Sequence, residues 1–176
     1  MKTLIVILYN IRSTYNVGAI LRTCDGLGVS KVILTGYTPF LDKGLPHEQA
    51  KLKKQIHKTA LGAEDVIAWE RRNQPLDRII KDLQNDSFWV MALEQGDNSL
   101  NLADGYTETH AKVALILGEE VHGIAPEYLS LCDQYLEIPM CGQKESFNVS
   151  VATGIALWEL QKPNLRDTEK YLRRQK

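Results

Sequence analysis

Asn16 and Arg22 stand six residues apart in one amphipathic stretch. Glu119 and Glu120 follow directly on Gly118, and Ser146-Phe147-Asn148 open a second amphipathic stretch. These residue types suit a site that binds a charged ligand and transfers a group. A guanidinium stays protonated and can hold a phosphate or a developing oxyanion. A carboxylate can fix a cation in a bidentate pair, here Glu120 with Arg22. Hydroxyl and amide side chains at a helix N-terminus sit among free N–H donors at the positive end of the dipole. Each residue also has a plainer reading. Asn16, Ser146 and Asn148 are good capping residues, Glu120 favours the start of a helix, and Arg22 suits a surface position beside Asp25.

Other chemistries find little in the sequence. His47, His57, His110 and His122 have no metal-ligand spacing and no Ser–His–Asp set can be assembled, so no metal is expected. Cys24, Cys132 and Cys141 are odd in number and lack a C-x-x-C, which argues for a reducing cytoplasm and against a disulfide framework. Gly26-x-Gly28 follows a helical pattern instead of preceding one, so it is no dinucleotide fingerprint.

The elements that must position these residues read as alternating strands and helices. Apolar runs at Leu4–Tyr9, Lys31–Leu34, Val66–Trp69, Ser87–Leu93, Val113–Leu117 and Tyr135–Ile138 predict strands. Val17, Ile20, Leu21, Cys24 and Leu27 have helical spacing behind the caps Ser13-Thr14. Pro75 with Leu76, Ile79, Ile80 and Leu83 predicts another helix, and a last long one runs from Ser146–Asn148 through Leu160. The polar segment from Gly36 to Leu61 reads as solvated helix or loop, or as a charged element facing the ligand beside the site, with Lys51, Lys53, Lys54, His57 and Lys58. Asn98–Thr109 reads as loop or a short helical piece. The alternation predicts an α/β domain with a mostly parallel sheet flanked by helices. In such sheets ligands bind beyond the carboxyl ends of the strands, where Gly118-Glu119-Glu120 and Pro139-Met140-Cys141-Gly142 fall.

The 176 residues suit one domain, with 44% hydrophobic and 24% charged residues. No apolar run approaches the ~20 residues of a membrane span, so no membrane association is expected. A net charge of −1 is unusual for a protein that handles nucleic acid, so any phosphate-binding charge must be local or concentrated by dimerisation.

Three motifs now become specific. Asn16-Val-Gly-Ala-Ile-Leu-Arg22-Thr-Cys-Asp-Gly-Leu-Gly28 resembles an N-x-x-A-x-x-R-x-x-x-x-x-G pattern. Gly118-Glu119-Glu120-x-x-Gly123 and Leu136-Glu-Ile-Pro-Met140 followed by Ser146-Phe-Asn-Val-Ser150 resemble the second and third motifs of the same set. In this order they resemble the TrmH/SpoU family of the SPOUT superfamily of RNA methyltransferases, over nearly all of the chain from Leu4 to Leu160.

The resemblance implies a cytoplasmic S-adenosyl-L-methionine-dependent RNA 2′-O-ribose methyltransferase, working as a homodimer whose sites are completed across the subunit contact. That contact is expected to use helix one and the apolar surface of Ile155–Leu160. It implies a C-terminal deep trefoil knot (alpha/beta knot) at about 113–160, within a domain of residues 1–162. Gly118, Ile138, Met140 and Phe147, with Leu93 at a strand end, match positions that hold the cofactor. Phe147 departs from a frequent leucine. Arg22 matches the catalytic arginine, with Asn16, Glu120, Ser146 and Asn148 facing the reacting groups. Glu119 replaces a frequent asparagine. Larger members carry an N-terminal RNA-binding domain, which a first strand at Leu4 leaves no room for. The expected substrate leans to tRNA over rRNA.

Two other readings stay open: a knotted RNA-binding or partner-binding protein that keeps the cofactor pocket without catalysis, and a flavodoxin-like nucleotide binder lacking a phosphate loop. Residues 163–176 form a basic helix or tail, where Pro163 is expected to end the long helix and Arg166, Lys170, Arg173 and Arg174 share one face.

Overall fold

The computed structural model describes residues 2–39, 45–97, 99–106 and 110–166, with side chains as far as Lys162. The strands are β1 Thr3–Tyr9, β2 Lys31–Thr35, β3 Trp69–Arg72, β4 Trp89–Leu93, β5 Leu100–Asn101, β6 Lys112–Leu117 and β7 Gln134–Glu137. The helices are α1 Thr14–Gly26, α2 Pro46–Ala60, α3 Ala63–Val66, α4 Leu76–Asn85, α5 Pro126–Leu129 and α6 Val149–Arg166. The seven strands form one sheet in the order β3-β2-β1-β6-β4-β7-β5, and every pairing between neighbours is parallel.

A parallel sheet covered on both faces needs strands that are apolar on both sides. β1 does this by alternation. Leu4, Val6 and Leu8 join the core under α1, α2 and α6, while Ile5 and Ile7 join the core under α4. β6 is buried from Val113 through Leu117 in the same way. The α1–α2 contact is close because Gly18 has no side chain: a Cβ there would meet Thr59 Oγ1 at 2.2 Å and the Ile56 carbonyl at 2.3 Å. α1 begins at its expected cap, with Ser13 Oγ accepting the Asn16 N–H at 3.3 Å.

Two expectations are corrected, and the reading of Asn98–Thr109 as loop or a short helical piece holds with a two-residue strand added. The third strand is Trp69–Arg72, not Val66–Trp69. Glu64 accepts the Gly62 N–H at 2.9 Å, the chain turns into α3, and Val66 ends that helix 73% exposed. An edge strand has one neighbour, so Trp69-Glu-Arg-Arg needs no apolar run. Pro163 does not end the last helix, whose backbone continues to Arg166; the lost N–H removes one hydrogen bond without breaking the helix there. Asn98–Thr109 holds, among its described residues, the two-residue β5 and a 3-10 turn at Leu102–Asp104, with the Asn101 side chain accepting the Ala103 N–H at 2.8 Å. The tail stripe from Lys170 to Arg174 lies outside the described residues, and the side chain of Arg166 does too.

β4 and β5 follow each other in the chain, yet β7, nearly at the C-terminal end of the sheet's sequence, lies between them. The carboxyl ends of β4, β6 and β7 therefore meet at one edge of the sheet.

Candidate active site

Strand β6 stops where Gly118 starts a turn. A Cβ at Gly118 would come within 2.6 Å of the Gly123 backbone and of Ile124, so this close turn tolerates only glycine. The turn closes through an isolated antiparallel bridge between Glu119 and Gly123, and the Glu94 carboxylate at the end of β4 accepts the Ile124 N–H at 3.0 Å. β7 stops before Ile138-Pro139-Met140, and no helix or strand forms again until α6. The peptide groups of this segment are thus not consumed by a ladder and face a ligand or water instead.

Between these turns lies a cavity of about 550 Å³. That is within the usual range for a small-molecule site. All five residues expected to hold a cofactor line it: Leu93, Gly118, Ile138, Met140 and Phe147. Glu120, Ser146 and Asn148 line it as well. Leu93, Leu117, Ile138 and the half-exposed Phe147 ring supply apolar wall, and His122, also in the lining, has its Nδ1 3.1 Å from Glu119 Oε1.

The three motifs meet at the mouth. Glu120 accepts Nδ2–H of Asn16 at 2.9 Å and the backbone N–H groups of Ser13 at 3.3 Å and Arg12 at 3.1 Å. Asn16 Oδ1 in turn accepts Nδ2–H of Asn148 at 3.2 Å. Asn148 also caps α6, accepting the Ser150 N–H at 3.0 Å and its hydroxyl at 2.7 Å. One glutamate and two asparagines so join the starts of α1 and α6 to the end of β6. Partial burial disfavours the Glu120 carboxylate, but the bonds from Arg12, Asn16 and Ser13 outweigh it and hold the carboxyl below its ordinary value.

This network corrects the expected Glu120–Arg22 pair, because the Glu120 oxygens are occupied by Arg12, Ser13 and Asn16. Arg22 lies two turns further along α1, exposed, outside the lining of the cavity. No carboxylate among the described residues pairs with it, so the expected surface pair with Asp25 does not form either. Asn16 is also outside the lining and reaches it through Glu120 and Asn148.

Several participants had no sequence signal. Asn10, at the end of β1, adopts a left-handed conformation, φ 59°, and its Oδ1 accepts the Tyr37 N–H at 3.1 Å. The Tyr37 hydroxyl then donates to Glu119, whose other oxygen faces Arg12 Nη1 at 3.9 Å. The bond to Glu119 pushes the Tyr37 phenol up to about 12, so it stays a donor, and the same bond holds Glu119 below its ordinary value. Glu119 in place of asparagine was the one visible hint of this cluster.

The apolar surface expected over Ile155–Leu160 is narrower than its sequence. Leu157 and Leu160 are fully buried in the chain's own core, and the outward stripe is Val151, Ile155 and Trp158, with Trp158 51% exposed. Among the described residues no group of three His, Cys, Asp or Glu is placed to hold a metal ion, and no helix is long and apolar enough to cross a membrane.

Comparison with known proteins agrees with this geometry. The SpoU rRNA Methylase family pattern matches residues 3–158. A tRNA (guanosine(18)-2′-O)-methyltransferase of Aquifex aeolicus is 32% identical over 162 residues, 92% of this chain and 70% of that protein. The 23S rRNA (guanosine-2′-O-)-methyltransferase RlmB of Xanthomonas axonopodis is 32% identical over 165 residues, 93% of this chain but 60% of its own length. An AdoMet-bound rRNA methyltransferase from Sinorhizobium meliloti superimposes with a TM-score of 0.77 at 25% identity, covering 92% of this chain and 56% of that one. With its three motifs joined at one cavity and a family match over almost its whole length, this chain belongs to the SpoU methylase family.

Proposed function

We propose that the chain transfers a methyl group from S-adenosylmethionine to a ribose 2′-hydroxyl of RNA. The observation that carries this reading is the hydrogen-bonded series Glu120–Asn16–Asn148 at the mouth of the cavity. Its members come from all three motifs, and side chains more than a hundred residues apart converge there without serving the core. The relatives from Aquifex aeolicus and Xanthomonas axonopodis are guanosine 2′-O-methyltransferases, and a solved relative holds the cofactor.

The lining fits that cofactor. Leu93, Ile138 and Phe147 offer apolar cover for an adenine, and the open main chain from Ile138 to Phe147 offers donors and acceptors for its edge. When bound, S-adenosylmethionine supplies an electrophilic methyl group on a sulfonium centre. Asn148 and Ser146 sit at the N-terminus of α6, where they orient the ribose. Glu120 fixes Asn16, and Asn16 fixes Asn148, so the acceptor side is set before RNA arrives. Arg22 holds the phosphate beside the target ribose and stabilises the developing alkoxide. The hydroxyl proton passes to phosphate or water.

Arg22 is exposed and lies outside the lining of its own cavity, which supports a homodimer in which Arg22 of one subunit serves the cavity of the other. The outward stripe Val151–Ile155–Trp158 on α6, together with α1, is the contact surface in this reading. β7 inserted between β4 and β5 supports the trefoil knot, in which the chain after β6 passes inside the β4–β5 connection. The tRNA (guanosine(18)-2′-O)-methyltransferase relative, 32% identical over 162 residues, is what supports tRNA as substrate in this reading. Three cysteines without a disulfide support a reducing, cytoplasmic setting.

Calorimetry with S-adenosylmethionine followed by methyl transfer to bulk RNA tests the reading. Micromolar binding and RNA labelling are expected; binding without labelling would leave a cofactor-keeping RNA-binding protein. Sedimentation tests the dimer, and a monomer at micromolar concentration would contradict it. Mixing inactive Arg22→Ala with an inactive cavity variant, Asn148→Ala, should restore about a quarter of the activity if sites are shared, because random pairing puts half the protomers in mixed dimers with one complete site each.

A further inference from the structure

Helix α2 carries cations that its own packing does not use. His47, Lys51, Lys54 and Lys58 fall at i, i+4, i+7 and i+11, on one face, and all four are exposed. The other face buries Ile56 and Ala60 and sets Leu52 against the core. Off the stripe, Lys53 pairs with Asp65 at 3.4 Å and His57 with Glu64 at 2.6 Å. Lys51 and Lys54 meet no carboxylate among the described residues. Like charges at i, i+3 and i+4 weaken a helix, so the stripe is a local cost. It is also against the balance of the molecule: α2 holds four lysines and one glutamate, while the whole chain has a net charge of −1.

The stripe leads to the site. Lys58 lies over the Tyr15 ring, 5.9 Å from its centroid, and Thr59 Oγ1 donates to the Tyr15 carbonyl at 2.8 Å. The next residue is Asn16, which holds Glu120. From His47 to Lys58 the stripe spans about 16 Å at ~1.5 Å per residue, enough for several phosphates of one strand. A polyanion is the partner whose charge matches this face. A cavity rim rich in carboxylates, among them Glu94, Glu119, Glu120 and Glu145, offers phosphates no competing seat.

We propose that Lys51, Lys54 and Lys58, ending at the Tyr15 ring, form the track that holds substrate RNA by its phosphates outside the catalytic cavity. This rests on the reading of RNA as substrate. Phosphate contacts position a nucleic acid without reading its sequence, so the track sets how RNA lies, and the cavity selects the ribose.

The test replaces all three lysines together, Lys51→Gln, Lys54→Gln and Lys58→Gln, and in a second variant replaces each with Arg. Unfractionated tRNA is the probe, titrated from 50 to 200 mM salt. The Gln variant should bind roughly ten- to hundredfold more weakly at 0.1 M salt, with a salt slope lower by about two to three. An unrelated RNA should lose affinity equally, and S-adenosylmethionine binding should not change. The Arg variant should keep both affinity and slope. Undiminished affinity and slope in the Gln variant, beside a wild type that binds, would overturn the track and leave the RNA reading standing. A wild type that binds no RNA would overturn both. Equal losses in the Gln and Arg variants would show that charge is not what the face supplies, and would also overturn it.

Discussion

Glu64, at the α2–α3 corner, and Glu120, at the mouth of the cavity, are both carboxylates held below their ordinary value by hydrogen bonds that outweigh burial. Their partners come from different distances. Glu64 takes His57, seven residues away, at 2.6 Å and the Gly62 N–H at 2.9 Å, and its own carbonyl accepts from Trp69. Glu120 takes Asn16, Ser13 and Arg12, each more than a hundred residues away. The first arrangement closes a local turn under the core. The second ties the turn after β1 to the turn after β6, which the pairing of Leu8 with Leu117 sets side by side, and reaches α6 through Asn16 and Asn148. A lowered carboxylate alone therefore does not mark a functional site; the sequence separation of its partners and its place on a cavity separate the two.

The largest expected effect lies on the cavity side. Arg22→Ala should lower methyl transfer by roughly 10²–10³-fold while leaving S-adenosylmethionine affinity unchanged, because Arg22 lies outside the lining. Full activity would remove it from the mechanism. Next, Asn16→Ala breaks the bridge between Glu120 and Asn148. Misplacing an acceptor group by about 1 Å costs on the order of 10²-fold, so kcat should fall up to that much, with the melting temperature little changed. A large loss of stability with normal kcat would make the Glu120 network structural, like that of Glu64. Glu64→Gln should do the opposite. It removes a buried charge-assisted bond and should cost about 1–3 kcal/mol of stability, with kcat per folded molecule intact.

The smallest effect is on pH. Both carboxylates have folded values below the ordinary 4.5. Their stabilisation is thus complete above about pH 4.5 and is lost as pH falls through the lower folded values. Thermal melts between pH 6 and 3 should show this acid loss, reduced in Glu64→Gln. An unchanged acid slope in that variant would contradict the Glu64 part of the comparison.

Most of the frame was legible because buried parallel strands write themselves as apolar runs. β1, β2, β4, β6 and β7 were recognisable from Leu4–Tyr9, Lys31–Leu34, Ser87–Leu93, Val113–Leu117 and Tyr135–Ile138. β3 was misplaced by three residues, since an edge strand reading Trp-Glu-Arg-Arg has no such run and Val66 sits in a short helix. Two-residue β5 is held by one neighbour and has too few residues to leave a pattern. At the site, the motif residues came from family resemblance, while their pairing did not. Glu120 with Arg22 was the plausible charge pair, yet the turn at Ile11–Ser13 puts two backbone N–H groups and Asn16 nearer. Tyr37 escaped notice because it reaches Glu119 only through the left-handed turn at Asn10, and backbone of that kind is set by tertiary contacts, not by local composition.

Nucleoside analysis of labelled RNA shows whether the methyl group goes to a ribose oxygen. RNA would be incubated with the protein and methyl-labelled S-adenosylmethionine, digested completely, and its nucleosides separated. Label is expected in a 2′-O-methylnucleoside and absent with Arg22→Ala. Label on a base, or none in any RNA despite measured cofactor and RNA binding, would contradict ribose methylation.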